Sequence, residues 1–141
     1  MPQEGAVIRE LHIHTAGQGL QEITQEVQAI VREGGQETGL CTVFVRHTSA
    51  SLTIQENADP TARQDLEQWL NRLVPENDPL YRHTLEGADD MPAHIKSALT
   101  LTSVAIPVVD GRLALGTWQG LYLWEHRHAG GERSVVVHIG P

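Results

Sequence analysis

The chain has 141 residues, 40% of them apolar, and a formal net charge of −8. Its length suits one folded unit with a sizeable core, and its apolar share excludes a disordered chain. The acidic balance argues against nucleic acid as the main partner, because phosphate binding needs clustered Lys and Arg, and no apolar run approaches the ~20 residues that cross a bilayer.

In chain order, Val7 to His14 alternates in part and predicts a first strand. Leu20, Ile23, Val27, Ile30 and Val31 fall on one helical face, and Gly34-Gly35 closes that helix. Two strands follow, Leu40–Val45 and Ser51–Ile54, joined through 46–50. Cys41 sits alone in the first of them, where a buried structural thiol is expected rather than a nucleophile. With no basic stretch leading into an apolar one at Met1-Pro2-Gln3-Glu4-Gly5, a cytoplasmic location is the expectation.

Asp59-Pro60 pairs a capping carboxylate with proline at the first helical position. The helix it opens should bury Ala62, Leu66, Trp69, Leu70 and Leu73 and end at Pro75. Residues 75–91 form a long polar connection, of a length that is uncommon without a functional reason. Pro92 opens a short helix over 93–99. The last third predicts a meander: Val104, Ile106 and Val108, a tight turn at Asp110-Gly111, a return strand through Leu113 and Leu115, then Leu121–Trp124 and Ser134–Ile139. The expected architecture is a single α+β domain over 1–141, antiparallel sheet packed with two or three helices.

Eight histidines are many for this length, but they differ in setting. His12 and His14 read as surface residues of a strand, and His126, His128 and His138 as parts of the last hairpin. His47 borders the hydroxyl-rich run Thr48-Ser49-Ala50-Ser51, His83 lies in the long loop, and His94 follows Asp89 and Asp90. Imidazoles with nearby carboxylates can hold a divalent transition metal, or simply cap and satisfy their surroundings; their spacing matches no linear zinc motif. Asp89-Asp90 could hold a hard cation such as Mg²⁺ or remain a solvated pair. Lys96 and Arg127 are the best-placed cations for a phosphate. Gly116-Thr117-Trp118-Gln119-Gly120 breaks a strand pattern, as at a bulge or a close approach to a ligand, and Trp118 suits either ring stacking or packing.

The segment Ser103–Gln119, ending in Gly-Thr-Trp-Gln, resembles the signature of the YjbQ-like family. His47–Asn57, Glu86–Ser97 and Trp124–Arg127 resemble it too, in the same order. The resemblance implies a β-sandwich-like α+β fold assembled as a homotrimer, with a His- and carboxylate-lined cleft between subunits and, in several members, a bound metal. It also implies a weak, secondary thiamine-phosphate synthase activity. By matching motif, the implied catalytic residues are His47, His83, Asp90, Glu125 and Arg127. Ligand contacts fall to Trp118, Gln119, Thr48 and Ser49, and a divalent metal (Mg²⁺ or Zn²⁺) to His47, His83, His94 and Asp90.

That reaction joins a pyrimidine-methyl diphosphate to a thiazole phosphate and expels diphosphate. The thiazole nitrogen is already nucleophilic, so the protein need only hold the anions and stabilise the departing group. An acidic chain suits two polyanionic substrates poorly. A small phosphorylated metabolite is the expected partner, and two further readings stand beside the synthase. One is a zinc-dependent hydrolase of a phosphorylated or acyl metabolite; the other is a non-catalytic ligand-binding module.

Overall fold

Alternating side chains build two antiparallel sheets, and the direction each strand faces decides what the fold buries. A computed structural model describes residues 5–141. In chain order the elements are β1 (Val7–Thr15), β2 (Gly19–Glu22), α1 (Thr24–Gly34), β3 (Thr38–Val45), β4 (Ala50–Glu56), α2 (Pro60–Leu73), α3 (Asp90–Leu99), β5 (Ser103–Val109), β6 (Arg112–Leu113), β7 (Gln119–Glu125) and β8 (Gly131–Gly140). The first sheet runs β1-β8-β3-β5-β6 and the second β2-β7-β4.

The main core lies between the sheets. Cys41, Val43 and Val45 of β3, Val135, Val137 and Ile139 of β8, and Val104, Ile106 and Val108 of β5 face Leu52, Leu121 and Leu123 of the second sheet. Val27, Ile30 and Val31 of α1 close this space. A smaller cluster covers the other face of the second sheet, where Leu20, Tyr122 and Trp124 meet Leu70 and Val74. The strand β7 is therefore buried on both faces, which is why 121–124 is a continuous apolar run.

Local signals place several elements. Asp59 accepts from the Thr61 amide at 2.9 Å and caps α2, with Pro60 at its first position. Gly35 ends α1 with φ of 70°, and Asp110 and Gly111 take φ of 51° and 73° at the two-residue turn between β5 and β6.

Other expectations are corrected by pairing. Leu20 is not helical: β2 pairs with β7, Leu20 opposite Trp124, so α1 starts only at Thr24. The last third is not a meander, because β7 crosses to the second sheet and β8 returns between β1 and β3. The strand after the turn stops at Leu113, before Leu115. Helix α3 begins at Asp90, two residues ahead of Pro92. On α2 only Leu70 is buried, whereas Trp69 and Leu73 are about half exposed.

Candidate functional site

The start of α3 concentrates chemistry because Asp90 and His94, one turn apart, share a helix face. The chain arrives there through Gly87, whose φ is 109°; a Cβ at that residue would stand 3.1 Å from the Asp89 carboxylate. The long loop between α2 and α3 brings in His83, and the β7–β8 connection brings in Arg127.

Asp90 is 2% exposed and uses both carboxylate oxygens. Its Oδ1 accepts from Arg127 Nη1 at 2.6 Å. Its Oδ2 lies 2.8 Å from His83 Nε2 and 3.1 Å from His94 Nε2. Arg127 also donates through Nε to Asp89 at 3.0 Å and through Nη2 to the Glu86 carbonyl at 2.8 Å. Burial opposes ionisation of Asp89, but the His128 amide and Arg127 outweigh it and hold the carboxyl below its usual range.

One detail sets the chemistry of the cluster. The Thr48 carbonyl accepts from His94 Nδ1 at 2.9 Å, which fixes the proton of a neutral ring on that nitrogen. Nε2 is then a lone pair facing a carboxylate oxygen. Two lone pairs at that separation require a cation between them, either a proton or a metal ion. One donor atom each from His83, Asp90 and His94 lies within 4.8 Å of the others, a set of two imidazoles and a carboxylate that fits a divalent metal.

The remaining expected residues fall elsewhere. His47 does not join His83 and His94 around Asp90: its Nε2 accepts from the Ser134 amide at 2.8 Å. Burial, followed by the adjacent Arg133 charge, pushes its pKa down, so the ring is neutral. His47, Thr48 and His94 do line one open depression of about 370 Å³. Ser49 accepts from Arg133 through its hydroxyl at 3.0 Å. Glu125 is fully buried, bonded to Thr15 Oγ1 at 2.6 Å, to the Arg127 amide at 3.0 Å and to Arg133 through both oxygens, so it anchors the β7–β8 end rather than meeting a substrate. Burial resists its ionisation, yet Arg133, Thr15 and the Arg127 amide hold it below the ordinary carboxylate range. The Arg127 guanidinium, committed to Asp89, Asp90 and Glu86, positions carboxylates instead of waiting for a phosphate.

Trp118 and Gln119 lie at the far end of β7 from Glu125, roughly 20 Å along an extended strand. Trp118 is 66% exposed, and Gln119 accepts from the Gly116 amide at 2.8 Å, so one chain does not bring this pair to the histidines.

Sequence reasoning did not single out Arg133, and it read His126 as part of the last hairpin rather than as a buried group. A signal for Arg133 existed: it shares the period-2 face of Val135, Val137 and Ile139, so it points inward, and a buried Arg demands a buried carboxylate such as Glu125 on the Leu121–Leu123 face.

The family model described as UPF0047 protein YjbQ-like matches residues 9–141. A UPF0047 protein of Synechocystis is 59% identical over 129 residues, covering 92% of this chain and 88% of that one. The YjbQ protein of Salmonella typhimurium is 54% identical over 101 residues, 72% of each chain. Among solved structures, a yjbq/UPF0047 family protein of Clostridium acetobutylicum superposes with a TM-score of 0.86 at 37% identity, covering 94% of this chain and 99% of that one. A conserved protein of Thermus thermophilus gives 0.82 at 41% identity, covering 92% and 97%.

Proposed function

The chain belongs to the UPF0047 YjbQ-like family, and from its site we propose a metal-dependent enzyme acting on a small phosphorylated metabolite. The observation that carries this reading is the convergence of His83 Nε2 and His94 Nε2 on one Asp90 oxygen, with His94 Nδ1 already bonded to the Thr48 carbonyl. His83, Asp90 and His94 would hold the ion, and two imidazoles suit zinc or a similar transition metal better than Mg²⁺. When bound, such an ion supplies Lewis acidity toward a phosphoryl oxygen and toward water.

The protein's own groups prepare that spot. Arg127 orients Asp90, and the Thr48 carbonyl orients His94. A substrate would approach through the depression shared by His47 and His94. Hydrolysis of a phosphorylated or acyl metabolite fits this donor set best. Coupling a pyrimidine-methyl diphosphate to a thiazole phosphate is the second reading, as a slow side reaction. With Arg127 already engaged, little cationic charge is left there for two polyanions.

Assembly and location belong to the same proposal. The outer face of the first sheet presents Ile8, Leu40 and Phe44, about half exposed or more, and a sheet face of that kind is covered by association. A homotrimer in the cytoplasm covers it and could bring Trp118 and Gln119 of one subunit toward the histidines of another.

The test is elemental analysis of the purified protein alongside phosphate release from a panel of phosphorylated metabolites. About one zinc-class ion per chain is expected, with His94→Ala losing it and activity falling by more than about tenfold. Equal turnover of one panel substrate by metal-loaded and metal-stripped enzyme, or full activity in His94→Ala, would overturn the proposal. Coupling activity strictly dependent on Mg²⁺ would favour the synthase instead.

A further inference from the structure

On the opposite side of α3 lies a second polar cavity, of about 220 Å³, between the outer face of the second sheet and α2. Its lining includes Gln18, Glu67, Asn71, Lys96, Trp124 and His126. His94 and Lys96 are two residues apart, about 200° around a helix, so this cavity and the His83–Asp90–His94 cluster occupy different faces.

Lys96 is only 3% exposed. Its Nζ donates to Asn71 Oδ1 at 2.5 Å, and that is its one hydrogen bond among the described residues, although an ammonium carries three donors. None of the ion pairs among the described residues includes it. A charge taken out of water with no carboxylate in contact is costly, and the Glu76 and Asp89 charges reach the ammonium only from beyond ion-pair distance.

A second buried group, uncharged, lacks a hydrogen-bond partner on one nitrogen. His126 is 1% exposed, its Nε2 lies 2.9 Å from Ser51 Oγ, and its Nδ1 has no partner among the described residues. Meanwhile the frame around the cavity is tied together. Gln18 donates to the His126 carbonyl at 3.2 Å and accepts from Asn71 at 3.2 Å, while Glu67 accepts from the Leu20 amide at 2.9 Å. A built frame thus surrounds a buried ammonium with two unused donors. Water could fill the hydrogen bonds but would leave the ammonium without a counter-charge in contact.

We propose that this cavity is a binding site for a small carboxylate or phosphate anion, held by Lys96. With Glu67 in the lining, the ligand also carries a hydrogen-bond donor, as a hydroxy acid or a hydrogen phosphate does. This site is independent of the metal-dependent reading.

The test is calorimetric titration of the purified protein with inorganic phosphate and with lactate, at fixed pH and ionic strength. One saturable site per chain is expected for at least one of them. Lys96→Met should weaken it by about tenfold or more. Asn71→Asp should do the same in a fully folded protein, because it supplies a carboxylate within reach of the ammonium; His94→Ala should leave it intact. Saturation by neither anion, unchanged affinity in Asn71→Asp, or loss of binding in His94→Ala would overturn the proposal.

Discussion

Asp90 shows how one side chain can organise a site: it is buried, it is matched by Arg127 on one oxygen, and it offers the other to two histidines. His126 is the contrasting residue, a histidine kept neutral by its surroundings. Burial, then the Lys96 charge, lowers its pKa from 6.5 to about 3, with Arg133 acting the same way and Glu125 opposing. The unfolded chain therefore binds a proton that the folded chain refuses. Stability contributed here is fully present above about pH 6.5 and is lost progressively as pH falls toward about 3. Urea denaturation should show wild type losing about 1 kcal/mol more than His126→Gln between pH 8 and pH 5.5. Parallel pH profiles for the two proteins would contradict this. Cys41, fully buried with its pKa pushed up to about 11 by that burial, is the inert thiol the sequence suggested.

At the scale of elements, whatever is governed by neighbouring residues was legible. The Asp59-Pro60 start of α2, the Gly35 end of α1 and the Asp110-Gly111 turn all rest on local backbone chemistry. The cap gives a direct check: Asp59→Ala should lower the midpoint of urea unfolding, while Asp59→Ser should restore most of it. No difference between Ala and Ser would mean that Pro60 alone sets the helix start. Elements that depend on partners were misread. Leu20 fits the apolar period of α1, but the backbone there pairs with β7, and only that distant strand makes it β. Trp69 and Leu73 fit the stripe of α2, yet the second sheet offers room for Leu70 and Val74 and leaves those two exposed.

For the molecule as a whole, the open question is what covers the outer face of the first sheet. Leu40 and Phe44 point away from the core on β3, opposite Gly140 and Val136 of β8. If the proposed homotrimer covers them, light scattering should give the mass of three chains, and Phe44→Glu should shift it to one while leaving the circular dichroism spectrum unchanged. A wild-type mass of one chain at micromolar concentration would count against the trimer. The sequence by itself determined the α+β class, the capped and turned segments, and three histidines set apart by their polar surroundings, because capping, turn geometry and alternation act over a few residues. Only the tertiary structure decided that β7 leaves its neighbours for a second sheet, that His47 stands apart from His83 and His94, and that Lys96 is buried with no carboxylate in contact among the described residues. Those outcomes depend on which faces meet across long stretches of chain, and short-range pattern carries no information about that.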